Sequence, residues 1–117
     1  MDIDKAKQFA VQWVMDWNRH DVAAVLAYYT YDFEMSSPTI HSIMGIPSGT
    51  LKGKALMGGY LRTIMNKNPD LKLTLIAVTA GMDTAGIYFN TAEGKKAFGI
   101  FFFDDKGMVY KAIETLN

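Results

Sequence analysis

The sequence has no cysteine, which excludes disulfide bonds, thiol catalysis and cysteine-based zinc sites. No charge of one sign is in excess, because 12 Lys and Arg residues balance 12 Asp and Glu residues. Nucleic-acid-binding proteins usually carry a basic patch, so we expect no nucleic-acid partner. No apolar run approaches the ~18 residues of a membrane helix, and the charged start lacks a signal-peptide core. These absences predict a soluble, cytoplasmic protein with no membrane partner.

The chain does contain enough apolar material for a folded core. Of its 117 residues, 50% are hydrophobic and 13% are aromatic, a composition far from that of a disordered chain. A chain of this length can bury a core without disulfides or metal ions. We therefore expect residues 1–117 to form a single domain.

Residues 95–116 predict the central hairpin of a sheet. Two strand-like runs flank residues 104–107, where Asp begins and Gly ends a type I turn. Both faces of the first run are apolar, which is typical of a central strand that is covered on both sides. In the second run, alternation predicts that Tyr110, Ala112 and Glu114 share one face.

The other elements follow from hydrophobic periodicity and turn residues. Helical spacing predicts helices over residues 3–17 and 54–66, with a short helix between them. Alternation predicts a first strand over residues 33–37 and further strands after the third helix, with one turn at residues 92–94. Residues 38–50 are interpreted as an apolar loop that forms a lid or a pocket wall. The order α-α-β-α-β-β-β-β favours an α+β fold with one curved, mainly antiparallel sheet around a helix.

Several short motifs occur along nearly the whole chain. They are WNRHD at residues 17–21, FEMSSP at residues 33–38, a glycine before the third helix, NPDL at residues 68–71 and DKG at residues 105–107. In this order the chain resembles the nuclear-transport-factor-2-like superfamily, in particular its SnoaL-like and ketosteroid-isomerase-like branches. The resemblance implies a conical fold of three N-terminal helices on a curved sheet, an apolar pocket between them, and a homodimer formed through the outer sheet faces.

The isomerase branch uses an acidic base after the first strand, a tyrosine in the first helix and a protonated aspartic acid on the penultimate strand. At the matching positions this chain has Ser37, Trp13 and Gly99. Serine without a partner base is a poor proton acceptor, and glycine offers no side chain. The resemblance therefore implies the pocket but not the ketosteroid isomerase reaction.

We expect the pocket to bind a small hydrophobic ligand. Its predicted lining comes from the first and third helices, the first strand and the last hairpin, and comprises Trp13, Trp17, Met35, Ser37, Met57, Tyr60, Phe101 and Tyr110. Aromatic and methionine side chains suit a flat apolar ligand. The same residue types are also typical of ordinary core packing, and the sequence leaves both interpretations open.

His41 and Glu114 are the candidate catalytic residues. His41, in the apolar loop, is either a neutral imidazole that acts as acid or base, or simply solvated. Glu114 either faces the pocket, where desolvation would raise its pKa, or reaches water from a frayed strand end. Asp16, at the margin of the first helix, is expected to be solvated. With only His20 and His41 and no i, i+4 ligand pair, we expect no metal site and no cofactor.

An apolar row on the second face of the central strand predicts a homodimer. Phe98, Ile100 and Phe102 form this row, and Ile76 and Val78 extend it on a neighbouring strand. Soluble monomers rarely expose such a patch, and two-fold pairing of sheet faces would cover it.

Three functions remain open at this level. The first is an acid–base enzyme of the isomerase, cyclase or hydrolase type that acts on a small hydrophobic molecule. The second is a non-catalytic module that binds such a molecule. The third is a protein-interaction dimer module that works through its sheet face.

Overall fold

The structure is a computed structural model that describes residues 1–91 and 93–117; Ala92, in the turn predicted at residues 92–94, lies outside the described residues. Among the described residues, no helix combines the length and the apolar character needed to cross a membrane. These residues form four helices and six strands. In chain order they are α1 (Ile3–Asn18), α2 (Val22–Leu26), β1 (Tyr29–Ser36), α3 (Pro38–Met44), β2 (Thr50–Lys52), α4 (Lys54–Lys67), β3 (Thr74–Ala80), β4 (Thr84–Asn90), β5 (Lys96–Phe103) and β6 (Val109–Leu116).

The strands form one mixed sheet in the order β2-β1-β6-β5-β4-β3. β1 and β6 pair in parallel, and the other neighbours pair antiparallel. The predicted hairpin is confirmed as β5 and β6, the two central strands. Its turn is closed by a 3.1 Å hydrogen bond from the Gly107 amide to the Asp104 carbonyl. Gly107 has a φ of 81°, a left-handed conformation that glycine adopts without strain.

Helices cover the inner face of this sheet. α1 begins at the N-cap Asp2, whose carboxylate accepts a 2.8 Å hydrogen bond from the Lys5 amide. Its buried stripe packs against β3 and β4. There the Trp13 ring meets Phe89 and Phe101 edge-on, with centroid separations of 5.6 and 5.1 Å. This packing confirms the predicted α+β architecture and places one side of α1 against the interior.

Residues 38–50 are not a continuous loop, and this prediction is wrong. Pro38–Met44 is helix α3, and Thr50–Lys52 is strand β2, which pairs with β1. Ser37 is the N-cap of α3, Pro38 occupies its first turn, and Gly45 ends it with a φ of 67°. Serine followed by proline is a helix-start signal and glycine a helix-stop signal. Proline also stops strands, because it cannot donate to a β ladder, so Pro38 by itself fits a strand end as well as a helix start.

A β-bulge in β6 changes which face Tyr110 occupies. The pairing of β6 with β5 shifts register between Phe102 and Phe103, which leaves Tyr110 as an extra residue. A bulge interrupts the strict alternation of faces. Tyr110 is therefore 43% exposed beside Phe102 on the outer face, while Ala112 is buried. The prediction that Tyr110 shares the inner face with Ala112 and Glu114 is wrong.

A second register shift occurs in β3 at Ile76. Leu75 pairs with Phe89 and Ala77 pairs with the adjacent Tyr88, so Ile76 is the extra residue. Ile76 is exposed, whereas Val78 packs against the core. The prediction that Val78 extends the outer apolar row is therefore wrong.

Candidate functional site

A cavity of about 450 Å³ lies between the helices and the inner face of the sheet. Its volume is within the roughly 300–1,000 Å³ of small-molecule sites. The deep part of the wall is made by buried side chains of α1, β1, α4 and β4, namely Trp13, Met35, Tyr60 and Phe89. Exposed residues of the wall mark its mouth, namely Ser42, Glu93, Lys95 and Asn117.

Of the eight predicted ligand-binding residues, Trp13, Trp17, Met35 and Tyr60 line this cavity. The other four do not line it. Met57 and Phe101 are buried in the adjoining core. Ser37 is buried beside the cavity and contacts Glu114, and Tyr110 lies on the outer face of the sheet.

Glu114 places a half-buried carboxyl group in the wall of the cavity. It pairs with Gly99 of β5, so that strand presents no side chain directly opposite it. The Ser37 hydroxyl donates a 2.7 Å hydrogen bond to Oε1 of Glu114. Desolvation raises the pKa of the Glu114 carboxyl above its ordinary value, and the hydrogen bond from Ser37 offsets only part of this effect.

Two buried tyrosines lie near Glu114. Tyr60 lines the cavity beside Ser37, and Tyr29 accepts a 3.1 Å hydrogen bond from Nε1 of Trp13. Burial raises the pKa of both phenols, and the negative charge of Glu114 raises it further. Both phenols therefore stay protonated at neutral pH. Because Tyr60 lines the cavity, it can donate a hydrogen bond to a molecule there.

His41 lies outside the cavity on the exposed side of α3. Its Nδ1–H donates a 3.1 Å hydrogen bond to the carbonyl of Ile46. The expectation that His41 belongs to a lid loop is wrong, because α3 is helical there. His41 instead borders a shallow depression of about 280 Å³ whose wall also includes Ser37 and Glu114. Glu114 is thus shared by the cavity and this depression.

Trp17 contributes an unpaired donor to the cavity wall. The side chain is 6% exposed, and Nε1 has no hydrogen-bond partner within the described residues. Trp13, one helical turn earlier, differs because its Nε1 donates to Tyr29. The sequence indicated an aromatic wall at both positions, but it gave no sign that one of the two indoles lacks an acceptor.

Asp16 is buried at 3% exposure, so the expectation that it is solvated is wrong. It accepts hydrogen bonds from Tyr28 and Arg19, each of 2.5 Å, and from Gln12 at 3.2 Å. Burial alone would raise the pKa of Asp16, but these hydrogen bonds and the Arg19 charge hold it below its ordinary value. Gln12 and Arg19 lie four and three residues away on the same helical face, a spacing that could have revealed the network.

Three polar side chains of the cavity wall, those of Glu114, Tyr60 and Trp17, can donate a hydrogen bond or exchange a proton. In residues 1–91 and 93–117, no three His, Asp or Glu side chains are grouped to hold a metal ion. The carboxyl of Glu114 can donate or accept a proton, the Tyr60 phenol can donate a hydrogen bond, and the Trp17 indole can only donate one.

Helices packed on one face of a six-stranded mixed sheet, with a cavity between the two layers, define the class of an α+β protein with an internal pocket. The chain belongs to the SnoaL-like domain family, whose sequence profile matches residues 10–111. It is similar to a SnoaL-like protein of unknown function from Burkholderia thailandensis, with 41% identity over 96% of this chain and 93% of that one and a TM-score of 0.92. The resemblance drawn from the sequence motifs is therefore confirmed.

More distant structures share the fold. A nuclear-transport-factor-2-like protein of unknown function from Cytophaga hutchinsonii is 10% identical over 96% of this chain and 89% of that one, with a TM-score of 0.74. SalBIII, an epoxide hydrolase/cyclase-like enzyme with a role in pyran ring formation in salinomycin, is 16% identical over 99% and 93%, with a TM-score of 0.74. No protein with a curated function matches the chain in sequence.

Proposed function

We propose that the protein binds a small, largely apolar, uncharged molecule in the cavity and moves protons to or from it through Glu114. The observation that carries this proposal is a carboxyl group in a largely apolar cavity wall, held by a hydrogen bond from Ser37. A carboxyl group whose pKa is raised by desolvation can hold its proton closer to neutral pH and can also release it.

The preference for an uncharged molecule follows from the same surroundings. Buried aromatic and aliphatic side chains make most of the deep wall. An anion placed against this deep wall would lose its hydration, while the lysine of the described wall, Lys95, lies at the exposed mouth, so burying the anion costs free energy. It would also repel Glu114 whenever that carboxyl is ionised.

The proposed chemistry assigns a role to each polar group. Protonated Glu114 donates to an oxygen of the substrate, and the ionised carboxylate accepts a proton from carbon or from water. Tyr60 donates a hydrogen bond to an oxygen that gains negative charge. Ser37 holds the Glu114 carboxyl in position. These roles suit a reaction of the isomerase, cyclase or hydrolase type.

His41 is proposed to act on Glu114 and not on the substrate. It borders the depression whose wall also includes Glu114. Imidazoles serve as proton shuttles in proteins, and the His41 side chain is exposed to solvent. It would thereby restore the protonation state of Glu114 while a ligand fills the cavity.

A non-catalytic binding module is the second candidate function. It is favoured by Ser37, Trp13 and Gly99, which stand where the isomerase branch has its three catalytic side chains. The cavity of about 450 Å³ supports either ligand-binding function over a purely protein-interaction module, which would not need such a space.

We also propose that two copies pair through the outer face of the sheet. Phe98, Ile100 and Phe102 of β5 lie there half-buried, and the neighbouring Tyr110 and Ile113 of β6 are 43% and 37% exposed. Together with the half-buried Lys111, whose ammonium lies 5.6 Å from the centroid of the Phe102 ring, these side chains form a largely apolar surface on the two central strands. In a two-fold dimer, the same face of a second copy of the protein would cover this surface.

Native mass spectrometry of freshly purified protein tests the proposed function, because it retains a co-purified small molecule. We expect a bound neutral compound and its turnover by the unmodified protein. Glu114→Gln, which keeps the size of the side chain, should bind the compound but not convert it. Glu34→Gln, on the outer face of β1, is the matched control. Unchanged turnover by Glu114→Gln would contradict the catalytic role, and failure of every neutral apolar compound to bind would contradict the binding role.

A further inference from the structure

Two tryptophans of α1 line the cavity, and their Nε1 donors differ in whether they have a hydrogen-bond acceptor. Nε1 of Trp13 donates a 3.1 Å hydrogen bond to the Tyr29 hydroxyl. Nε1 of Trp17 is buried and has no protein acceptor within the described residues. The ring centroids are 5.8 Å apart, so both indoles belong to one aromatic cluster. The two indoles differ in the hydrogen bonding of Nε1.

A buried donor that lacks an acceptor destabilises the folded protein, which is why such groups are rare and often mark a binding site. The indole N–H can only donate, so it requires an acceptor and gains nothing from a second donor. The Trp17 side chain lines the cavity, although Nε1 itself is enclosed, so a molecule bound there can supply the acceptor once the indole turns toward it.

We propose that the cavity selects ligands with a carbonyl-type oxygen that accepts a hydrogen bond from Nε1–H of Trp17. This inference rests on the proposed binding function and adds a chemical class to it. The ligand is an uncharged, largely apolar molecule with an acceptor directed at Trp17. Nε1 is enclosed in this structure, so the proposal requires the indole to turn toward the cavity when the acceptor enters.

Trp17 therefore acts as a specificity-determining residue, separate from the proton-transfer role of Glu114. The two groups come from different elements, α1 and β6, and both line the same cavity. A ligand that uses both presents one oxygen to Trp17 and its reactive group to Glu114. Loss of the Trp17 donor should weaken binding of acceptor-bearing ligands and leave hydrocarbon binding unchanged.

A pair of probes of nearly equal shape tests this inference. 2-Acetylnaphthalene carries a carbonyl acceptor, and 2-isopropenylnaphthalene replaces it with an apolar group. Calorimetric titration gives the ratio of their dissociation constants for the unmodified protein, for Trp17→Phe and for the control Tyr31→Phe, which removes an exposed donor outside the cavity. We expect Trp17→Phe to reduce the preference for the ketone by roughly 3- to 10-fold, as the loss of one neutral hydrogen bond does. Tyr31→Phe should leave this ratio unchanged.

Indole proton resonances provide a second measurement that does not need Trp17→Phe to fold. In the unmodified protein, the ketone should move the Nε1–H resonance of Trp17 downfield relative to the hydrocarbon probe, and that of Trp13 should respond equally to both. If both probes bind but neither the ratio nor the Trp17 resonance distinguishes them, this inference is overturned and the binding function stands. If neither probe binds, the binding function itself fails, and the inference fails with it.

Discussion

The Ser37 hydroxyl donates a 2.7 Å hydrogen bond to the Glu114 carboxyl, although 77 residues separate them in the chain. The same hydroxyl accepts a 3.1 Å hydrogen bond from the Thr39 amide and so caps α3. One side chain therefore fixes both the start of the helix beside the cavity and the orientation of the carboxyl in its wall. This double role gives Ser37 a purpose that does not require it to act as a base.

The raised pKa of Glu114 predicts how stability depends on pH. The folded protein holds the Glu114 proton more tightly than the unfolded chain, whose pKa is about 4.3. The resulting stabilisation is complete below the unfolded pKa and is lost as pH rises through the folded pKa. Urea unfolding over this range should show the unmodified protein losing stability relative to Glu114→Gln as pH rises. The other titrating groups are common to both proteins, so a difference that stays constant with pH would contradict the prediction.

A larger side chain in the cavity wall should reduce binding. Leu116 is half-buried at the end of β6 and lines the cavity. Leu116→Trp should weaken binding of the neutral fluorophore 1-aminoanthracene by roughly tenfold or more, since steric overlap costs on the order of 1–3 kcal/mol. Tyr110→Trp, on the outer face of the same strand, is the control and should leave binding unchanged. If Leu116→Trp and Tyr110→Trp bind the fluorophore with equal affinity, the fluorophore does not occupy the cavity.

A charge on the outer face of the sheet should break the proposed dimer. Ile113 is 37% exposed on this face, so Ile113→Lys alters the surface without opening the core. Burying an unpaired lysine between two sheets is costly, and the two-fold axis would bring two such charges near one another. Sedimentation velocity at micromolar concentration should show a dimer for the unmodified protein and a monomer for Ile113→Lys. Leu56→Lys, at a 56% exposed position on α4, should remain a dimer.

The Asp16 network should contribute to stability at neutral pH. Tyr28→Phe removes a hydrogen bond to a charged carboxylate and should lower the unfolding free energy by about 1.5–3 kcal/mol. Because the folded pKa of Asp16 lies below the unfolded one, its stabilisation is present above the unfolded pKa and is lost as pH falls through the folded pKa. The cost of Tyr28→Phe, measured by urea unfolding, should therefore shrink in acid. Tyr31→Phe, at an 89% exposed position, should cost little at any pH.

Ketosteroid isomerase activity should be absent. Gly99 cannot donate to a developing enolate oxygen, and loss of one such donor typically costs ~10²–10³ in rate. Ser37 cannot act as the base, because its proton is already donated to Glu114. Ultraviolet absorbance should detect no conjugated enone when the protein is incubated with a 5-ene-3-ketosteroid. Saturable turnover of this substrate would show that Glu114 or another group supplies the missing chemistry.

The sequence by itself determined the elements whose signals are local. Helical spacing located α1 and α4, and alternation with an Asp…Gly turn located the β5–β6 hairpin, because these patterns depend only on nearby residues. The family resemblance, together with residue type, predicted Trp13, Trp17, Met35 and Tyr60 as wall residues. The start of helix α3 also has local signals, since Ser37 is its N-cap and Pro38 lies in its first turn.

Tertiary structure alone decided the features that depend on two distant segments. The bulges at Ile76 and Tyr110 arise from how paired strands match in register, and each reverses the face that strict alternation assigns. The hydrogen bond from Ser37 settled the position of Glu114, which the sequence left open between cavity and water. Local periodicity records which side chains are apolar, but the partner of a polar group is set by the packing of segments far apart in the chain.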